Sequence, residues 1–280
     1  MTYPLSYYSY SQLSSFLDCP QTWYQTYVLK NRSGNRFTAL GSQLHTVFEL
    51  QGKDLQMYQI RENGSYMKSY NELYFDKEKV PREYFESKEQ FIEMYKQGVV
   101  AVENYLGEYQ HSNPLFVEKK FKQVLIEGTP PALGFIDRID GDIDKPWEWV
   151  ITDYKSGKNP KSKQFLNEDF QLAIYAQAIY KEYGHFPAFL RYYHPVIDKF
   201  QTAVHLGSGV YEYDYKGQRS PKARFAISAM MFKVQETIQA ISVAYANNDF
   251  PKKEDKWNCK RCFHYETCKP FGDETGWGSL

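Results

Sequence analysis

Asp153 and Lys155 stand one residue apart at the end of an apolar run, WVITDYKSGK, residues 149–158. Strand side chains alternate faces, so these two project together while Tyr154 projects oppositely. A carboxylate beside an ammonium at a strand end is either a surface ion pair or half of a metal-dependent hydrolytic site. Upstream, GFIDRID (134–140) places Asp137 on one strand face with Phe135 and Ile139. An acid among apolar neighbours is costly unless its charge is paired or metal-bound. Two carboxylates and a lysine suit phosphodiester chemistry. Hard oxygen ligands hold Mg²⁺ or Mn²⁺, the metal lowers the pKa of a bound water, and the lysine orients that water and stabilises developing negative charge. Antiparallel pairing of the two strands would bring Asp137 and Asp153 together, although their register is not written in the sequence.

Other residues fit the same chemistry. GSQLHTVFE (41–49) sets His45 and Glu49 on one helix face, where His45 is a candidate ligand that would favour Mn²⁺. DFQLAIYAQA sets Gln171 and Tyr175 four apart on another helix, within reach of a nucleic-acid backbone. Glu118, in FVEKKF, is a further candidate acid. Each has a plainer alternative: a rim histidine, helix packing, and a solvated charge run beside Lys119 and Lys120. The basic residues of YKGQRSPKAR (Lys216, Arg219, Lys222 and Arg224) are candidates for backbone contact or a solvated loop.

The cysteines form a second constellation. Cys259, Cys262 and Cys268 are spaced C-x2-C-x5-C, and the remaining cysteine, Cys19, lies far upstream. Four thiolates can hold zinc or an iron–sulfur cluster, and a distant cysteine joined to a tight triplet would clip the two ends of the chain together. Spacing alone does not separate zinc from iron.

The elements that must position these residues can be read from period and punctuation. Residues 9–29 predict two short helices broken at Cys19-Pro20, and 39–50 predict a helix. Residues 51–86 carry little periodicity. A helix over 87–109 opens with a capping box from Ser87 to Gln90. Strands are expected over 115–126, 132–140 and 147–155, the last two flanking the turn GDIDKP. A helix over 167–184 has Asn167 as cap and Gly184 as stop. A strand pair (AFLRYYHP, FQTAVHL), a long helix over 222–250 and the cysteine segment complete the chain.

The ordered set GxxxH, GxxDR, a strand ending DYKSG and a helix carrying QLxxY resembles the PD-(D/E)XK nuclease superfamily. The likeness is to the branch of RecB-like nuclease domains and CRISPR-associated iron–sulfur exonucleases, and also to AddB-type nuclease domains. It is carried by Gly41, His45, Asp137, Asp153, Lys155, Gly157, Gln171 and Tyr175, and spans roughly residues 9–270. The resemblance implies an α/β fold with a central mixed sheet flanked by helices, a restriction-endonuclease-like core. It implies His45, Asp137, Asp153 and the Tyr154 carbonyl as metal ligands, Lys155 as the catalytic lysine, and Gln171 and Tyr175 supporting the site or substrate. It also implies that Cys19, Cys259, Cys262 and Cys268 bind a structural four-iron four-sulfur cluster, with zinc the lesser alternative. One nuclease domain over 1–280 is expected: a helical insertion at about 51–114, the nuclease core at about 115–207, and a C-terminal helix with the cysteine segment at about 222–270.

The activity expected is a Mg²⁺- or Mn²⁺-dependent exonuclease acting on single-stranded DNA or unwound ends, in DNA repair or recombination. The partners implied are a helicase, a recombinase or a CRISPR integrase, because no GxxxxGK[ST] motif is present to drive unwinding. A non-catalytic zinc or iron–sulfur DNA-binding scaffold would keep the cysteines and dispense with the acids and lysine. A partner-activated subunit would keep both sets. Composition agrees with a folded chain: 42% hydrophobic and 18% aromatic residues exclude disorder. A net charge of zero argues against a sequence-independent DNA packager. Most of the 25 tyrosines are expected in packing, some at ligand surfaces. With no signal-like or membrane-spanning run, an intracellular, cytoplasmic protein is expected.

Overall fold

The computed structural model describes residues 3–31, 34–213, 223–255, 259 and 262–268. Three of the basic residues singled out above, Lys216, Arg219 and Lys222, lie outside them. Seven strands form one mixed sheet in sequence order: β1 (Phe116–Gln123), β2 (Ala132–Asp140), β3 (Val150–Tyr154), β4 (Phe189–His194), β5 (Lys199–Gly207), β6 (Val210–Tyr213) and β7 (Arg224–Ala226). Every neighbouring pair is antiparallel except β3–β4. That parallel step requires a crossover. It is made by α6 (Lys163–Glu168) and α7 (Gln171–Tyr183), which ends at Gly184 with φ +76°.

Helices cover both faces. On one side pack α1 (Tyr10–Asp18), α2 (Pro20–Trp23), α7 and α8 (Ile227–Asn247), around Leu13, Trp23, Ile151, Ile174, Leu190 and Val234. On the other pack α3 (Arg36–Gln56), α4 (Asn63–Phe75) and α5 (Lys88–Tyr109), around Leu44, Phe48, Tyr70, Val102, Tyr154 and Tyr193. Each fully buried aliphatic or aromatic side chain contributes about 1.5–3 kcal/mol through removal from water. Most described tyrosines are packing residues: Tyr66, Tyr70, Tyr74, Tyr105 and Tyr193 are all essentially inaccessible. Among the described residues, no helix is long and apolar enough to cross a membrane.

Two glycines set how closely the second layer approaches. A Cβ on Gly52 would lie 2.8 Å from Val117 Cγ2, so α3 can press onto β1 only without a side chain there. A Cβ on Gly98 would fall 1.7 Å from Tyr70 Oη, which fixes the α4–α5 contact.

Several expectations are corrected. The weakly periodic stretch 51–86 holds the end of α3 and all of α4, whose buried stripe is three tyrosines rather than aliphatics. The expected helix over 167–184 is two helices. Asn167 lies inside α6, and its Oδ1 accepts from the Arg224 amide instead of capping α7. The long C-terminal helix starts at Ile227, because residues 224–226 pair with β6 as β7. Ser87 does cap α5 by accepting from the Gln90 amide, but Gln90 Oε1 accepts from the Glu86 amide rather than closing the box on Ser87.

Candidate active site

The site grows from the β1–β2–β3 register. Val117 pairs with Arg138 and Lys119 with Ile136, which sets Glu118 opposite Asp137. Arg138 pairs with Thr152, and the same register carried one step further sets Asp137 opposite Asp153. Three carboxylates therefore cross three adjacent strands in one row. The ladder between β2 and β3 stops there, and the Tyr154 amide, left without a strand partner on that side, donates to Asp137 Oδ2 at 2.7 Å.

The alternation of faces breaks at this row. A regular strand would put Phe135, Asp137 and Ile139 on one face. Instead Ile136 through Ile139 are all buried, whereas Phe135 is 47% exposed. On β1, Phe121 packs against Tyr175 of α7 and Lys119 pairs with Glu182 there, while Val117 meets α3. Glu118 is the residue at the switch, with φ +49°. That left-handed conformation is sparsely populated for a non-glycine residue and costs of order 1–3 kcal/mol. The strain coincides with the point where the acid is turned toward its neighbours.

Helix α3 supplies the histidine. His45 Nδ1 lies 3.5 Å from Asp137 Oδ1 and 3.9 Å from Glu118 Oε1. One turn earlier, Gly41 allows α3 close to the strand end, its Cβ position lying 3.3 Å from Ser156 Oγ. Ligand atoms of His45, Glu118 and Asp137 all fall within 4.8 Å of one another. The charges are strongly linked. Burial alone would lower the His45 pKa, but Asp137, Glu118 and Asp153 outweigh it and hold the imidazolium up to about 9. Burial pushes Asp137 up to about 7, Asp153 and Glu118 add to the rise, and His45 with the Tyr154 amide oppose it. This crowding of donors fits a divalent cation, whose charge would replace the protons that now neutralise the row.

Asp153 is held by the opposite helix layer. Its Oδ1 accepts from Gln171 Nε2 at 2.7 Å and from Tyr175 Oη at 3.3 Å. Its Oδ2 lies 2.7 Å from Lys155 Nζ as an ion pair, yet this buried atom makes no geometrically sound hydrogen bond. A charged contact is less directional than a hydrogen bond, so the pair attracts at this distance without ideal alignment. The oxygen retains capacity for another partner. Lys155 Nζ also donates to Gln171 Oε1 at 2.7 Å, and the Lys155 amide donates to Tyr193 O on β4 at 2.8 Å. Gln171 thus bridges the acid and the lysine through its two amide ends.

The structure brings together Asp153, Lys155, Gln171 and Tyr175, and beside them His45, Glu118 and Asp137. Tyr154 offers its amide to Asp137 while its ring packs in the α3–α5 layer against Phe48 and Tyr105. Glu49 turns to Lys53 and takes no part. Arg138 of GxxDR pairs with Asp140 at 2.6 Å and lies over Tyr109, a structural role. Asp169 and Tyr192 were not singled out from the sequence. Tyr192 Oη donates to Asp169 Oδ2, just before Gln171, and Lys155 lies 5.1 Å from the Tyr192 ring centroid. The acid of NEDFQ, two residues before Gln171, was the available signal.

The four cysteines line one cavity of about 450 Å³, between α1–α2 and the C-terminal segment. Segment and helices meet through Thr26 Oγ1 and His264 Nε2 at 3.1 Å, Thr22 Oγ1 and Cys262 Sγ at 3.4 Å, and the Lys253 amide to Cys19 Sγ at 3.5 Å. The sulfurs themselves do not close into a group as tight as the His45 set.

The PD-(D/E)XK nuclease superfamily profile matches residues 7–269, and the chain belongs to that superfamily. No curated protein matches the chain.

Proposed function

We propose that the chain is a metal-dependent DNA exonuclease acting on single-stranded DNA or unwound ends, and that its four cysteines hold a structural four-iron four-sulfur cluster. The observation that carries the nuclease reading is the row Glu118–Asp137–Asp153, flanked by His45 on one side and Lys155 on the other. Mg²⁺ or Mn²⁺ held there by His45, Asp137, Asp153, the Tyr154 carbonyl and Glu118 would polarise the scissile phosphate and acidify a bound water.

The chain's own residues do the rest. An ammonium has three N–H donors, and Lys155 gives one of them to Gln171 while its charge faces Asp153 Oδ2. The other donors are left for the attacking water or a phosphate oxygen, where they stabilise developing charge without reorganising. Gln171 fixes Lys155 and Asp153 at once, and Tyr175 holds the same Asp153 oxygen, so the lysine's position is set before substrate arrives.

The cluster reading rests on all four cysteines of the chain lining a single cavity. A tetrahedral zinc with Zn–S bonds near 2.3 Å draws its sulfurs to about 3.8 Å of one another. The cavity of about 450 Å³ that the cysteines share with other residues admits either group, and the choice of an iron–sulfur cluster follows the family resemblance. Work on DNA in repair, recombination or CRISPR adaptation, with a helicase, recombinase or integrase delivering open ends, belongs to the same proposal.

The test is cleavage of end-labelled single-stranded DNA by protein purified without oxygen, in Mn²⁺, Mg²⁺ or EDTA. Metal-dependent shortening that disappears in Lys155→Ala is the expected result, and the label then reports polarity. Inert wild-type protein with its chromophore intact would overturn independent catalysis in favour of a partner-activated subunit.

A further inference from the structure

The loop after Lys155 carries a second lysine that the hydrolytic arrangement does not use. Lys161 is fixed by one side chain at both of its backbone polar groups. Its amide donates to Gln201 Oε1 at 2.8 Å, and its carbonyl accepts from Gln201 Nε2 at 2.8 Å. Gln201 Oε1 also lies 3.0 Å from Nε2 of buried His194, at the end of β4. The clamp holds residue 161 at a defined place beside the catalytic strand end.

Its ammonium has no carboxylate to pair with. Among the described residues Lys161 makes no ion pair, and its Nζ lies 4.1 Å from the Phe165 ring centroid. Two of the three nearby acids are engaged elsewhere, and the third, Asp18, forms no ion pair with Lys161. Asp153 is taken by Lys155, Gln171 and Tyr175. Asp169 accepts from Tyr192 Oη and from the Gln171 amide. Burial and then the Lys155 charge both lower the proton affinity of Lys161, with Asp169, Asp153 and Asp18 opposing them. Two ammonium groups held within each other's field, one of them unpaired, form a place where an anion is favoured. Asp18, whose charge acts on Lys161, lies on the wall of the cysteine cavity.

We propose that Lys161, locked by Gln201, is a positioning residue that binds the backbone phosphate next to the scissile one, on the side of the site that faces the cysteine segment. The inference rests on the nuclease reading. A phosphodiester is the anion that a strand seated at Lys155 would present there, and a lysine contact of this kind is independent of sequence.

The experiment uses the whole chain with fluorescein-labelled single-stranded DNA. Binding is followed by anisotropy in EDTA across a salt series, and cleavage in Mn²⁺ by steady-state kinetics. For Lys161→Met the slope of log K against log salt should become shallower by about 0.7, the amount one phosphate contact contributes on a single strand. KM should rise about tenfold, the cost of one charge-assisted hydrogen bond, with kcat changed less than twofold. Lys161→Arg should restore the slope, and the thermal midpoint of both variants should match wild type. A Lys161→Met protein with wild-type slope and KM would overturn the proposal while leaving the nuclease reading intact, and Lys161 would be a surface cation stacked on Phe165. Wild-type protein that neither binds nor cleaves the strand would overturn both.

Discussion

The carboxylate row and the cysteine cavity are assembled by different means. In the first, Asp137, Asp153 and Gln171 are buried and held by hydrogen bonds from the sheet and α7 and by the His45 ion pair from α3. In the second, all four cysteines are half-buried, and the contacts across to sulfur are long: Thr22 Oγ1 to Cys262 Sγ at 3.4 Å and the Lys253 amide to Cys19 Sγ at 3.5 Å, beside Lys253 Nζ to the Leu17 carbonyl and Thr26 to His264. Chain packing alone builds the first. The second has the form expected where a bound group supplies the missing cross-links, so that binding and local folding are one process. A nuclease built this way separates chemistry, which must be preorganised, from the docking of its ends.

That contrast predicts opposite phenotypes on the two sides. Asp153→Asn should remove the charge that Lys155 faces and lower kcat about a thousandfold, the upper range for loss of one preorganised electrostatic group. Its thermal midpoint and iron content should stay at wild-type values. Cys19→Ser should do the reverse. Breaking a clip between Cys19 and the C-terminal triplet releases a very long loop, with an expected loss of about 3–5 kcal/mol in stability. Visible absorbance should fall in parallel, while molecules that retain the group cleave at the wild-type rate. Denaturant unfolding and single-turnover cleavage of both variants would show it. A Cys19→Ser protein as stable as wild type would break the comparison.

Proton linkage separates the two sites next. His45 holds its proton up to about 9 and Asp137 up to about 7. Both values lie above those of an unfolded chain, so each group's contribution to stability is present at low pH and lost as pH rises through its folded pKa. Asp137 loses its share toward neutral pH and His45 toward alkaline pH, both in the same direction. Metal-free protein should therefore become less stable from about pH 4 to 9, first through Asp137 and then through His45, and Mn²⁺ should restore it. Because ligation needs both groups deprotonated, log affinity for Mn²⁺ should rise with pH, with a slope near two below pH 7 and near one up to pH 9. Calorimetry at several pH values reads this directly. A flat profile would mean that neither His45 nor Asp137 is a ligand, and a slope that never exceeds one would mean that only one of them is.

How far these sites could be read from the sequence differs for the same reason. DYKSG and QLxxY are local, and strand and helix periods placed Asp153, Lys155, Gln171 and Tyr175 where hydrogen bonds now join them. β1 to β5 and α3, α5 and α7 were also signalled by period and caps. Glu118 was ambiguous, because its alignment with Asp137 depends on strand register and on a positive φ that no local pattern announces. α4 was hidden because tyrosines rather than aliphatics form its buried stripe. β7 was hidden because three residues ahead of a helix carry no strand period, and pairing with β6 alone makes them one. The clamp on Lys161 was invisible, since Gln201 lies forty residues away on a different strand.

The smallest effects offer the sharpest version of the contrast, through two matched hydroxyl deletions. Tyr175→Phe removes one 3.3 Å bond to Asp153 Oδ1 and leaves the ring against Phe121. Asp153 keeps Gln171 and Lys155, so about 0.5–1.5 kcal/mol of positioning is lost, a fall of about threefold to tenfold in kcat with the thermal midpoint unchanged. Thr26→Val removes one partner of His264 at the cysteine segment. It should leave kcat of the loaded protein within twofold and speed loss of visible absorbance under a chelator. Each deletion takes away one hydroxyl, yet the first is felt only where geometry must be exact for chemistry, and the second only where a bound group holds the ends together. If Thr26→Val slowed cleavage as much as Tyr175→Phe does, the cysteine segment would be part of the catalytic geometry and not a separate clip.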